Sequence, residues 1–260
     1  MGIRQKKHCT AIVLSAGRGK RMHASVEKQY IELYKRPVIY YTLEIFQSSS
    51  IIDDIVLVVG KGQEEEVYEK IVRKYHFSKV KAVVEGGAER YASVWNGLQA
   101  IADGRIGEES KTGYVFIHDG ARPFVTENIL RRGYDTVCKC RACVAGMPSK
   151  DTIKIVDDKT YSTATVKLAD DQGFVGSTPD RKSVWMIQTP QIFETELITD
   201  AYSRLMGKHA VQVTDDAMVL EQMLKMPVKL FEGSYENIKI TTPEDLDIAK
   251  MFLLERRRQG

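Results

Sequence analysis

An α/β fold with a mostly parallel sheet and helices on both faces is predicted from three observations. Short apolar segments alternate with helical patterns through the first half of the chain, and the intervening segments carry apolar residues at i, i+3, i+4 and i+7. One long polar excursion then interrupts the alternation before it resumes. Strands are expected at 10–14, 54–59, 80–84, 114–118 and 142–147. Between them Ile39, Thr42, Leu43 and Phe46 follow helical spacing behind Pro37, a natural first-turn residue. Val94, Gly97, Leu98 and Ile101 repeat it, and Val67, Ile71 and Tyr75 keep the four-residue step. Such alternation implies parallel strands joined by right-handed crossovers, a Rossmann-like arrangement. Ligands of such sheets bind beyond the carboxyl ends of the strands.

The excursion at 150–182 is rich in Asp, Thr and Lys, with a β-like alternation over Thr152, Ile153, Lys154 and Ile155. A bare loop of that length is rare, so it is expected to be a protruding β-arm or a lid. Regular structure resumes with a short strand at 184–187, a helix at 194–205 and a strand at 228–231. A last helix runs from Pro243 towards Arg257, with Leu246, Ala249 and Leu253 on one face.

The chain has 260 residues, 43% hydrophobic and 28% charged, enough for one sizeable core and a single domain over 1–260. A net charge of +3, spread along the chain, gives no nucleic-acid footprint. No apolar run approaches the roughly 18 residues of a membrane span. The opening MGIRQKKHC is basic but leads into TAIVL and SAGRG, which reads as a first strand and not a secretory signal. Lys6 stands where a myristoylation signal needs Ser or Thr. Cys138, Cys140 and Cys143 lack the second pair or histidines of a zinc site, so they and Cys9 are read as structural. Unpaired cysteines fit a reducing cytoplasm.

Chemistry concentrates at the expected strand ends. The first strand empties into Ser15-Ala16-Gly17-Arg18-Gly19-Lys20-Arg21-Met22, with Lys28 six residues on. Small residues let backbone amides approach phosphate oxygens, and the basic side chains supply charge where a triphosphate would lie. Met22 replaces the third glycine of a dinucleotide fingerprint, and Arg21 follows Gly19-Lys20 where a P-loop needs Ser or Thr. The third strand ends in Glu85-Gly86-Gly87-Ala88-Glu89-Arg90, a turn suited to a flat base, and Ser93 beyond it could meet a base edge or cap its helix. The fourth ends in His118-Asp119-Gly120-Ala121-Arg122-Pro123. Asp119 is placed to hold Mg2+, Arg122 could grip a phosphate or pair with Asp119, and His118 reads as a packed residue. Further on come Thr189-Pro190-Gln191, Thr214-Asp215-Asp216 and the segment from Glu236 to Thr241, in which Lys239 could reach the same crevice.

Taken in order, SAGRGKRM with KQY, EGGAERYASV, HDGARPFV, KDTIK, QTPQIF, TDDAMVLE and EGSYENIKITTPEDL resemble the 2-C-methyl-D-erythritol 4-phosphate cytidylyltransferases of the non-mevalonate isoprenoid pathway. The resemblance implies transfer of CMP from CTP to a polyol phosphate, with Mg2+ as cofactor. It implies that Arg21 and Lys28 stabilise charge at the α-phosphate, with Lys239 touching both that phosphate and the acceptor's. Asp119 would hold the metal. Ser15, Ala16, Gly17, Gly19, Gly87, Ala88 and Ser93 would contact the nucleotide, and Arg122, Thr189 and Thr214 the acceptor. Thr152 and Arg181 would act from the arm, which in this family crosses into the partner subunit's site; a homodimer follows. Glu27 stands where the family usually has proline, Ala88 where aspartate is frequent and Glu236 where aspartate is common. The stretch from Ile155 to Pro179 is longer than in many members. A ribitol 5-phosphate cytidylyltransferase shares the fold and chemistry, but EGSYENIKITTPEDL and QTPQIF are nearer the isoprenoid versions. A non-catalytic nucleotide-binding protein would not need Arg21, Lys28, Asp119 and Lys239, and Met22 weakens a dehydrogenase.

Overall fold

Segments such as CTAIVLS and DIVLVV are apolar on both sides, the pattern of strands covered on both faces, and they form interior strands of the sheet. The computed structural model describes residues 6–17, 27–157, 174–208 and 212–259. In chain order these form β1 (Cys9–Ser15), a small hairpin of β2 (Glu32–Leu33) and β3 (Arg36–Pro37), α1 (Val38–Ser48) and β4 (Asp54–Val59). Then come α2 (Glu64–Val67), which widens into a π-type turn, β5 (Val80–Glu85), α3 (Arg90–Ala102), β6 (Tyr114–Asp119), α4 (Glu127–Cys140) and β7 (Ala142–Pro148). The remainder is β8 (Ile155–Asp157), β9 (Phe174–Ser177), β10 (Trp185–Glu194), α5 (Thr195–Met206), α6 (Asp216–Leu224), β11 (Lys229–Glu232) and α7 (Pro243–Gln259).

The central sheet has seven strands in the order β11-β7-β10-β6-β1-β4-β5. Neighbours run parallel except β10, which is antiparallel to both β6 and β7. The mostly parallel expectation holds, and the strands expected in the first half lie within one residue of their bounds. The short strand expected at 184–187 is a correction: β10 spans ten residues. A run through Gln188, Thr189, Pro190 and Gln191 looks like a strand end, yet these side chains are buried and the register shifts between Ile187 and Gln191. The Thr189–Pro190 peptide is cis.

Side chains alternate across the sheet. Ala11, Val13, Ile55 and Leu57 face α1 and α4, meeting Leu43, Phe46, Ile129 and Leu130. Ile12, Val56 and Val58 face the other way, towards Leu98 of α3, Tyr202 of α5 and Leu220 of α6. Each fully buried apolar side chain contributes about 1.5–3 kcal/mol. α7 lies against a third cluster through Ala249 and Leu253, with Leu246 beside it, packing on Leu33, Tyr41 and Phe124. All four cysteines are free, and burial pushes the Cys9 thiol up to about 12, so the structural reading holds.

The polar excursion opens as a hairpin, with β8 paired antiparallel to β9. Ile155, Val156 and Val175 on it are each more than half exposed. Residues 158–173 lie outside the described residues. Among the described residues, no helix is long and apolar enough to cross a membrane.

Candidate active site

Parallel pairing decides which chain segments meet. Leu14 of β1 is in register with Asp119 of β6, and β1 also pairs with β4, whose neighbour is β5. The carboxyl ends of these strands therefore present Ser15–Gly17, Asp119–Arg122 and Glu85–Gly87 on one edge of the sheet. Gly86 N donates to Val59 O at 2.7 Å, drawing the glycine turn inwards. A Cβ at Gly86 would stand 2.3 Å from Ala16 Cβ and 2.9 Å from Ser93 Oγ. Gly86→Ala is therefore expected to destabilise the protein by about 1–3 kcal/mol, as overpacking does, readable as a lower urea midpoint.

The capping reading of Ser93 is corrected by the helix start. Ser93 lies inside α3, whose N-cap is Glu89, and its Oγ accepts from Gly87 N at 3.1 Å while donating to Glu89 O at 3.2 Å. It braces the glycine turn. On the other side, Gln29 is buried and donates through Nε2 to Ser15 O at 2.7 Å. That bond docks the 3-10 turn Lys28–Tyr30 beside the end of β1. The carboxylate of Glu27 accepts from Gln29 at 2.8 Å and from Gln63 at 3.3 Å, so the departure from proline is built into the local packing.

The centre of the edge is Asp119, only 7% exposed. Its Oδ2 is 2.7 Å from Lys239 Nζ and 3.8 Å from Arg122 Nε, and its Oδ1 is 3.3 Å from Arg90 Nε. Burial alone would raise its pKa, but Arg90, Lys239 and Arg122 outweigh it and hold the carboxyl far below the usual range. Arg122 also donates from Nη1 to Asn237 O at 2.8 Å, and the Ile240 amide donates to Ala121 O at 2.9 Å. Lys239 thus comes from the connection between β11 and α7, and these two bonds tie that connection to the Asp119 loop.

Beneath Asp119 the neighbours are committed to the scaffold. Asp119 N donates to Thr189 Oγ1 at 3.1 Å, and Asn237 Nδ2 donates to Thr189 O at 2.8 Å. His118 is fully buried, with Nε2 at 3.1 Å from Arg122 O and Nδ1 at 3.1 Å from Thr189 Oγ1. A carbonyl only accepts, so Nε2 carries the proton and the Thr189 hydroxyl donates to Nδ1. Burial lowers the His118 pKa from 6.5 to about 4. A depressed His pKa means that the folded state binds fewer protons, so its stabilisation is complete above pH 6.5 and declines towards pH 4. Wild type is expected to lose on the order of 3 kcal/mol over that window through this group, and His118→Gln is expected to flatten the corresponding slope in urea titrations.

Other expected site residues are not bonded to this cluster among the described residues. Thr152, Arg181, Thr214 and Ala88 are exposed. Arg181 Nη1 reaches Lys150 O at 3.5 Å, and Thr214 Oγ1 lies 3.9 Å from Met218 Sδ. No hydrogen bond or ion pair joins these four to Asp119 among the described residues. Gly19 and Arg21 lie outside the described residues. The principal addition is Arg90, whose Nη1 and Nη2 each donate at 2.8 Å to Asp216, itself fully buried. The only sequence signal for that pair is its position in EGGAERYASV and TDDAMVLE.

Among the described residues no three His, Cys, Asp or Glu side chains gather as a metal cage. A lone strand-end carboxylate still fits Mg2+, which is commonly held by one or two carboxylates together with substrate phosphates.

A Rossmann-like sheet with cations drawn from three separate segments around one strand-end carboxylate has the architecture of an α/β nucleotidyltransferase. The 2-C-methyl-D-erythritol 4-phosphate cytidylyltransferase profile matches residues 9–255, and the chain belongs to that family. The curated protein of that name from Lachnospira eligens is 46% identical over 94% of this chain and 98% of its own length. Its counterpart from Alkaliphilus oremlandii is 42% identical over 96% and 97%. The solved 4-diphosphocytidyl-2C-methyl-D-erythritol synthase of Anaerococcus prevotii superposes with a TM-score of 0.77 at 33% identity, covering 96% of this chain and 97% of that one.

Proposed function

We propose that this cytidylyltransferase moves CMP from CTP to 2-C-methyl-D-erythritol 4-phosphate, giving 4-diphosphocytidyl-2-C-methyl-D-erythritol and pyrophosphate. The acceptor's phosphate oxygen forms a bond to the α-phosphorus as the bond to the β-phosphate oxygen breaks, and pyrophosphate leaves with both electrons of that bond. The nucleophile is already an anion, so no strong base is needed. Catalysis lies in holding two anions together and neutralising the charge that grows between them. The observation that carries this reading is Lys239 Nζ at 2.7 Å from Asp119, beside Arg90 and Arg122 at the sheet edge.

In this reading Lys239 turns from Asp119 to the α-phosphate and the acceptor phosphate when substrates arrive. Asp119 would then be free to hold Mg2+, and the metal would supply charge neutralisation for the leaving pyrophosphate. The turn at Gly86 and Gly87, kept rigid by Ser93, takes the cytosine. Lys28 and Arg21 complete the triphosphate site, and Arg122 and Thr214 serve the acceptor. Thr189 holds the Asp119 backbone and acts on the acceptor through that loop. The exposed Ile155, Val156 and Val175 suit an arm that packs on a second subunit, where Thr152 and Arg181 would meet the partner's substrate. A cytoplasmic setting suits four free cysteines.

The test is pyrophosphate release from CTP with methylerythritol phosphate and ribitol 5-phosphate supplied in turn. Release with the first and little with the second is expected. Preference for ribitol 5-phosphate would replace the acceptor, and CTP binding without release for either would remove the activity.

A further inference from the structure

Asp216 begins α6 in the interior, with no exposed surface. A buried carboxylate is costly unless its oxygens are paired, and here both are. Oδ1 accepts from Arg90 Nη1 at 2.8 Å and from the Tyr202 hydroxyl at 2.6 Å, and Oδ2 accepts from Arg90 Nη2 at 2.8 Å. Tyr202 of α5 is fully buried in turn. Gln191 of β10 fixes the same helix start, its Oε1 accepting from Asp216 N at 3.0 Å and Ala217 N at 2.9 Å. Its Nε2 donates at 3.0 Å to Asp215, whose other oxygen caps α6 by accepting from Met218 N at 2.9 Å.

The fork of Arg90 is thereby aimed. With both Nη atoms spent on Asp216, its Nε is left facing Asp119 Oδ1 at 3.3 Å. Arg90 also starts α3 directly after the glycine turn, and Asp216 follows Thr214 after one residue. One guanidinium therefore ties the base-side turn, the strand-end carboxylate and the acceptor-side segment into a single unit. Lysine keeps the charge but has no planar fork with which to do this.

We infer that Arg90, locked by Asp216 and Tyr202, is a positioning residue for CMP transfer that fixes Asp119 and couples the nucleotide and acceptor loops. This rests on the cytidylyltransferase reading, and wild-type turnover tests that reading separately. If wild type fails to release pyrophosphate with any acceptor, the activity is wrong and not the lock.

The experiment measures steady-state pyrophosphate release against CTP, acceptor and Mg2+ for wild type, Arg90→Lys, Tyr202→Phe and the double variant, with thermal unfolding alongside. Arg90→Lys is expected to lower kcat by about thirtyfold or more, leave the KM for CTP within about threefold and raise the Mg2+ needed for half-saturation. Tyr202→Phe, which keeps the ring, is expected to lower kcat about three- to tenfold at a near-native unfolding temperature. The double variant is expected to match Arg90→Lys, because a lock opened once cannot be opened again. Near-native kcat in Arg90→Lys with an unchanged Mg2+ titration would overturn the inference, as would losses that multiply in the double variant. Should Arg90→Lys fail to fold, Tyr202→Phe decides: unchanged kcat in that variant overturns it.

Discussion

Lys239→Ala is expected to lower kcat by about a hundredfold or more, the scale of losing one preorganised stabiliser of transition-state charge. The side chain is 36% exposed and sits on a connection that the Ile240 amide holds to the Asp119 loop, so truncation removes the charge without emptying the core. Its ammonium is held at 2.7 Å from Asp119, already at the edge where the phosphates are proposed to lie. When substrate arrives the ammonium turns from the carboxylate to the phosphates beside it. If the contribution lies in the transition state, kcat and kcat/KM for CTP fall together. Steady-state pyrophosphate release measures both. A variant within about threefold of wild type in kcat would remove Lys239 from the chemistry.

Asp119→Asn is the second large effect, and it acts on fold and reaction together. The carboxylate offsets the charges of Arg90, Lys239 and Arg122 at a position only 7% exposed. An amide there leaves those cations facing one another, and breaking a buried pair by removing one partner costs about 3–5 kcal/mol. Acid behaviour follows with a definite sign. The folded pKa lies far below the ordinary value of 3.8. The stabilisation from this group is therefore complete above the unfolded pKa of about 3.9 and is lost as pH falls through the folded pKa. Wild type is expected to weaken below about pH 4 in a way that the Asn variant does not. Turnover in Asp119→Asn is expected to need more Mg2+ for half-saturation. Native-like stability together with an unchanged Mg2+ titration would show that Asp119 neither organises the cations nor holds the metal.

The sequence revealed features carried by local chemistry. β1 and β4 were legible because strands buried on both faces read as unbroken apolar runs. The Asp119 and Gly86 turns were legible because polar or glycine residues at the carboxyl ends of such runs mark the functional edge. The full length of β10 is hidden because Gln188, Thr189 and Pro190 look like a strand end; Gln188 and Thr189 are buried against Asn237 and His118, which only the folded chain supplies. The resemblance puts Thr189 at the acceptor, and only the folded chain shows its hydroxyl accepting from Asp119 N and donating to His118. Arg90 and Asp216 stand 126 residues apart, and neither alone differs from an ordinary charge at a helix start. Their pairing emerges only when α3 and α6 pack on the same face of the sheet.

The most direct measurement is a crystal structure with CTP and Mg2+ bound. The α-phosphate is expected within hydrogen-bonding reach of Lys239 Nζ, the metal on Asp119 and the cytosine against Gly86 and Gly87. A nucleotide seated elsewhere, for instance in the cleft lined by Arg36, Tyr40, Tyr41 and Arg257, with Lys239 still on Asp119, would contradict it.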